Sequence, residues 1–250
     1  MVSVDLNADL GEGFGAWRMG DDAAMFALVS SANVACGFHA GDASMMLASA
    51  RLAIENGVVL GAHPSYRDLA GFGRRTMDVD PHELHAEVLY QVSALRGLAA
   101  SVGAEVRYVK PHGALYNRIV VDEAQAEAVV RAAADAALPL LGLPGSAAER
   151  LAERHGVRFV REGFADRAYL SDGTLAPRSL PGSVIDDPDE VAERAVRMVR
   201  DGAVDTLDGD PVALDVRSLC VHGDTPGAVE IARSVRAALE DAGVEIGGFA

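Results

Sequence analysis

The sequence predicts an α/β fold, a single (β/α)-barrel domain over residues 1–250. Three observations predict it. Short apolar runs rich in valine and leucine alternate with longer segments of helical period. Runs that are apolar on both faces suit parallel strands covered by helices, and seven such units close into a barrel as readily as they lie in an open sheet. The polar residues of the chain also collect just after the apolar runs, where parallel α/β folds bind their ligands.

In chain order the strands read as 2–7, 31–36, 58–62, 106–110, 139–143, 158–161 and 218–221. Asp42 caps a helix that stops at Asn56-Gly57. Asp80-Pro81-His82-Glu83 supplies a cap, a proline at the first helical position and a glutamate placed for a capping box. The helix that follows is predicted to bury Leu84, Val88, Val92, Leu95 and Leu98. Asp122, Ser146 and Asp187-Pro188 mark further starts, and Thr225-Pro226 opens the last helix, ending at Ala242-Gly243. The segments 64–79 and 163–183 read as long loops rich in glycine and arginine, a length that is usually functional. A small hairpin is expected around Asp208-Gly209-Asp210.

A formal charge of −15 argues against nucleic acid and against anionic membrane surfaces as partners. No run approaches the roughly 20 apolar residues of a membrane helix, and the N-terminus lacks the basic and apolar regions of a signal peptide. A cytoplasmic protein is expected. Cys36 and Cys220 read as buried small hydrophobes in a reducing compartment.

The strand ends carry Asn7, Asp9 and Glu12; His39 and Asp42; His63; Lys110 and His112; Arg167; and His222 and Asp224. Four of the seven histidines thus follow strands directly and should meet at one mouth, while His82, His85 and His155 read as surface residues. Bland readings stand beside each of these. Asp42 and Asp224 serve equally well as helix caps, Lys110 as a solvated lysine, and any single histidine as a satisfied core residue. There is no G-x-S-x-G elbow and no phosphate-binding G-x-x-x-x-G-K-[ST] loop. Acid–base or metal chemistry remains, since neutral histidines and carboxylates relay protons near neutral pH or hold a divalent ion.

Six blocks then carry a resemblance over nearly the whole chain: DLNADLGEGFG at 5–15, SANVACGFHAGD at 31–42, GAHPSYRDLAGFGRR at 61–75, YVKPHGALYN at 108–117, EGFADRAYLSDGTL at 162–175 and CVHGDTP at 220–226. Together they resemble the LamB/YcsF family. The resemblance implies a seven-stranded irregular (β/α) barrel of the glycoside hydrolase/deacetylase type. It also implies the role of the A component in a bacterial ATP-dependent 5-oxoprolinase, with ATP handled by partner subunits B and C and the lactam of 5-oxo-L-proline opened to L-glutamate.

On that reading Asp9 or Glu12 with His39 and His63 activates water, and His112 or His222 protonates the ring nitrogen. Lys110, Arg74 and Arg167 bind anionic groups, and Asn7 and Asn117 orient the substrate, with Asp42 and Asp224 also in the binding set. A divalent metal is an open possibility, with Asp9, His63 and His112 as the nearest equivalents of a deacetylase ligand set. Two alternatives differ in class: a stand-alone metal-dependent deacetylase or amidohydrolase, and a substrate-binding subunit without catalytic groups.

Overall fold

The first strand, β1 (Ser3–Leu10), alternates apolar Val4, Leu6, Ala8 and Leu10 with polar Asp5, Asn7 and Asp9, and all seven are buried. Two buried faces of opposite character define the architecture. The apolar face packs into the main hydrophobic cluster with the helices. The polar face meets hydrogen-bonding partners from other strands, as from Asn7 to Glu162 and Ser218, across the inside of a barrel.

The computed structural model describes residues 2–207, 209–223 and 227–250. Within them β1 is followed by β2 (Ser31–Ala35), β3 (Val59–His63), β4 (Val106–Val109), β5 (Leu140–Gly142) and β6 (Phe159–Phe164). A short antiparallel hairpin of β7 (Ala203–Asp205) and β8 (Pro211–Ala213) precedes β9 (Ser218–Cys220). The barrel runs β1-β2-β3-β4-β5-β6-β9 in parallel and closes through β9 on β1. A last two-residue strand, β10 (Glu245–Ile246), pairs with β1 outside the ring.

All seven expected barrel strands are present, most ends within one residue of expectation, and β3 runs on to include His63. β1 continues to Leu10 and β6 to Phe164, so Asp9 and Glu162 lie within strands rather than after them. The hairpin flanks the segment expected to hold it, although Asp208 itself lies outside the described residues.

The helices are α1 (Asp22–Phe26), α2 (Ala43–Asn56), α3 (Pro81–Ser101), α4 (Gly113–Val121), α5 (Glu123–Asp135), α6 (Ala147–His155), α7 (Pro188–Asp201) and α8 (Ala228–Asp241). Asp42, Asp80, Asp122, Ser146 and Asp187 each cap a helix through the side chain, as expected. Only the aspartate half of the capping box at Asp80 forms. In α3 the buried stripe is Leu84, Val88, Val92, Leu95 and Ala99, with Leu98 half-buried. α4 was not anticipated because no side chain caps it: its N-cap is His112. Thr225-Pro226 lies outside the described residues, and α8 starts at Ala228 behind Gly227.

Two positions show how backbone geometry is tuned to the mouth. β3 and β4 shift register between Leu60 and Gly61, and the ring of Tyr108 lies where a side chain on residue 61 would stand. Gly73, at φ +65°, leaves room for Ser65, His112 and His39, against which any Cβ there would collide.

Candidate active site

Burial of charge dominates the barrel's interior. Lys110 follows β4 and is 1% exposed. Its ammonium lies 2.9 Å from Asp9 Oδ1, 2.9 Å from Glu162 Oε1, 3.3 Å from Asn7 Oδ1 and 3.2 Å from Cys220 Sγ. Burial opposes its charge, but Asp9 and Glu162 outweigh that and keep Lys110 well above the usual lysine range. Asp9 is likewise held well below the carboxylate range by His63 and Lys110, against the effect of burial. The Cys220 thiol stays protonated, pushed up by burial. Asn33 completes the layer, donating to Asn7 Oδ1 (2.6 Å) and Asp9 Oδ1 (2.8 Å) while accepting from the Tyr108 hydroxyl.

Above this layer three histidines meet. His63 ends β3, His39 lies in the β2–α2 turn and His112 precedes α4. The His39 and His112 rings stack 3.8 Å apart, and Phe72 stands edge-on to both. Backbone carbonyls fix two of the tautomers, because a carbonyl oxygen only accepts. His63 donates from Nδ1 to Lys110 O (2.7 Å), and His112 donates from Nε2 to Phe72 O (2.9 Å).

The other ring nitrogen of His63, Nε2, faces His112 Nδ1 at 3.0 Å. Asp9 Oδ2 lies 3.3 Å from the first, and Glu12 Oε1 lies 3.3 Å from the second and 3.1 Å from His39 Nε2. Burial, then the neighbouring imidazoles, hold His39 and His112 well below the ordinary histidine range, so both are neutral. Phe72 takes a left-handed backbone (φ 53°) to present its carbonyl. Asp68 steadies that turn by accepting from the Gly71 and Arg75 amides.

Convergent ring nitrogens and a carboxylate suit a cation. Ligand atoms of Glu12, His39, His63 and His112 lie within 4.8 Å of one another and could hold a metal ion. The set differs from the one anticipated: Glu12 and His39 take part, and Asp9 stands beside it, paired with Lys110. The unpartnered Nδ1 of buried His39 fits the same picture, since a ring that ligates through Nε2 carries its proton there.

A cavity of about 660 Å³ opens over these groups, lined among others by Asp9, Glu12, His63, Lys110, His112 and His222. His222, across the cavity, is held by a residue that the strand-end reading did not select. Asp166 accepts from His222 Nδ1 (2.8 Å) and from the His222 backbone amide (3.0 Å). Burial would raise this carboxyl, but His222 keeps it below its usual range. The Phe164 ring stacks on His222 at 5.8 Å. Asp166 therefore fixes the proton of His222 on Nδ1 and leaves Nε2 for the cavity.

Arg74, Arg167 and Asn117 also line the cavity. Two residues expected in the substrate set are placed elsewhere. Asn7 is fully buried, with its amide engaged by Glu162, Ser218 and Asn33. Asp42 caps α2 and accepts from Gly15 N at 2.6 Å, away from the lining. Asp224 lies outside the described residues. His85 and His155 pair with Asp135 and Glu127 on the outer helices, and His82 is exposed. Glu162, Asn33, Tyr108 and Asp166 are the polar residues that sequence reasoning missed. Glu162 and Asp166 stood inside the quoted EGFAD run, but nothing local distinguishes a partner of Lys110 or His222 from a solvated acid.

The family's sequence profile matches residues 4–250. The chain belongs to the LamB/YcsF family. Among relatives of this LamB/YcsF chain, the A component of 5-oxoprolinase from Streptomyces avermitilis is 59% identical over 249 residues, 99% of this chain and 100% of the relative. That of Cutibacterium acnes is 58% identical, covering 98% of each chain. A crystal structure of the Lactam Utilization Protein from Thermus thermophilus superposes with a TM-score of 0.94 at 51% identity, covering 99% of this chain and 100% of that one. Among the described residues no helix is long and apolar enough to cross a membrane.

Proposed function

We propose that the chain opens the lactam ring of 5-oxo-L-proline to give L-glutamate, as the A component of an ATP-hydrolysing 5-oxoprolinase whose B and C subunits bind ATP and activate the lactam. The relatives' names support the assignment to that complex. One observation carries the chemistry: an acceptor cluster (Asp9, Glu12, His63, His112) and an oriented histidine–carboxylate dyad (His222–Asp166) line one cavity.

An amide resists hydrolysis because resonance stabilises its carbonyl and its nitrogen leaves poorly. Phosphorylation of the lactam oxygen by the partners removes the first obstacle, and a proton donor removes the second. Water in the cavity loses a proton to His63 Nε2, and Asp9, 3.3 Å away and ionised, stabilises the imidazolium that forms. The hydroxide adds to the ring carbon, and the C–N bond breaks as the nitrogen takes a proton from His222 Nε2. Asp166 stabilises the His222 imidazolium before that transfer. The ring-opened acyl phosphate then takes a second water, releasing glutamate and phosphate. A divalent cation held by Glu12, His39, His63 and His112 would take the place of the His63 base and supply Lewis-acid polarisation and an activated water instead.

Glutamate release from 5-oxoproline, assayed with and without subunits B and C, ATP and added metal, tests the reading. Release that needs all three subunits and ATP, and that His222→Ala lowers at least about 100-fold, is expected. Wild-type turnover by a folded His222→Ala chain would overturn the acid assignment. The Glu12–histidine cluster favours a second reading, a stand-alone metal-dependent amidohydrolase. Release without ATP or partners, abolished by a chelator, would select it.

A further inference from the structure

The loop after β6 walls the cavity with Arg167 and Arg178, and its charge balance is unusual for this chain. Acidic residues outnumber basic ones 37 to 22, and several arginines elsewhere in the chain have carboxylate partners. Arg75 pairs with Asp68, Arg118 with Asp122 and Arg67 with Glu87. Arg167 differs. It is 6% exposed and makes no ion pair among the described residues. Its Nε and Nη2 donate to the carbonyls of Ser183 (3.1 Å) and Ala176 (2.6 Å), which anchors the loop.

Nη1 of Arg167 meets no acceptor among the described residues, yet it is not sealed from solvent as the orphaned buried atoms are. The adjacent carboxylate, Asp166, is engaged by His222. Arg178 lines the same cavity and makes no hydrogen bond or ion pair among the described residues. Asp172, the acid on this wall, turns back to accept from Thr174 N and Oγ1. Burial, then the like charge of Arg178, push Arg167 down to about 10, with Asp166 acting against them. A buried cation whose neighbouring carboxylate, Asp166, is already shared with His222 is costly, and the cost is relieved when a ligand brings a further anion. Lys110 cannot serve, because Asp9 and Glu162 already neutralise it.

We infer that Arg167 and Arg178 form an oxyanion cradle on the cavity wall, taking a carboxylate or phosphoryl group of the substrate. Arg178 was not anticipated as part of the site. The cradle deepens the proposed function and rests on the cavity being the substrate site. Arg167 supplies a fixed buried donor, and exposed Arg178 closes over the anion from the solvent side. Guanidinium forks suit both oxyanions, and the probe distinguishes them.

The test titrates the full chain by calorimetry or NMR with inorganic phosphate and, separately, with acetate. Arg178→Ala is the main variant, Arg178→Lys the conservative one and the surface change Arg150→Ala the control. Arg167→Lys keeps the charge at a position where Arg167→Ala could release the loop. Wild type is expected to bind at least one anion, Arg178→Ala about tenfold more weakly, Arg178→Lys and Arg167→Lys in between, and Arg150→Ala like wild type. A selective loss for acetate marks a carboxylate subsite, and one for phosphate marks a phosphoryl subsite. In the first case 2-pyrrolidinone, which lacks the carboxylate, binds no better to wild type than to Arg178→Ala.

No binding of either anion by wild type, or equal binding by wild type and Arg178→Ala, overturns the cradle. Phosphate binding through Arg178 in a chain that opens no lactam would keep the cradle and remove only the proposed reaction.

Discussion

The lumen of the barrel and the shell around it are built from the same strands and follow opposite rules. In β1, Val4, Leu6, Ala8 and Leu10 pack on the helical shell, while Asp5, Asn7 and Asp9 enter a lumen of charges and amides. The shell is held by apolar burial, which tolerates changes of similar volume. The lumen is held by matched partners, and removing one leaves another uncompensated. Stability and chemistry therefore depend on the same buried groups in the lumen and on separate groups elsewhere.

The sharpest way to break this contrast is Lys110→Met. It leaves Asp9 and Glu162 buried without their cation, and a loss of about 3–5 kcal/mol is expected in urea denaturation. Adding Glu162→Gln should restore a large part of it. A double variant no more stable than the single one would show that the lumen does not work by charge matching.

Asp5, at the opposite end of the lumen, gives the next effect. Its carboxyl is pushed up to about 6 by burial, against the hydroxyls of Ser218, Ser30 and Ser31. The folded state thus holds the Asp5 proton more tightly than the unfolded chain does. The contribution to stability is fully present below about pH 4 and is lost as pH rises to about 6. Asp5→Asn does not ionise, so its stability relative to wild type should climb through that window by up to about 3 kcal/mol and then level off. A difference that stays constant from pH 4 to 7 would contradict this.

Asp166→Asn gives the smallest effect in energy and the most specific one. It removes the carboxylate that holds the His222 proton on Nδ1. Turnover in the assembled complex should fall about 100-fold, worth about 2.7 kcal/mol, with an altered pH profile and little change in melting temperature. Lost stability with an unchanged pH profile would assign Asp166 to the loop rather than to the dyad.

These contrasts also show where the sequence was readable. Helix starts were plain because a cap acts within three residues, and Asp42, Asp80, Asp122, Ser146 and Asp187 all mark theirs. Strand ends were read too early in β1 and β6 because Asp9 and Glu162 look like loop residues until a lumen exists to satisfy them. His39, His63, His112 and His222 were recognised by position, but their division into a stacked cluster and a separate dyad was not visible.

By itself the sequence determined the seven barrel strands and most of the helices between them, the family, and a mouth that gathers four histidines. Those features follow from local period, capping and motif. The tertiary structure alone decided that Lys110 is a sealed counter-ion, that Asp166 orients His222, and that Glu12 and His39 join the metal-ligand set. Each depends on groups far apart in the chain, 52 residues for Lys110 and Glu162 and 56 for Asp166 and His222. Only barrel closure brings them within hydrogen-bonding distance, and only burial makes their charges strong enough to matter.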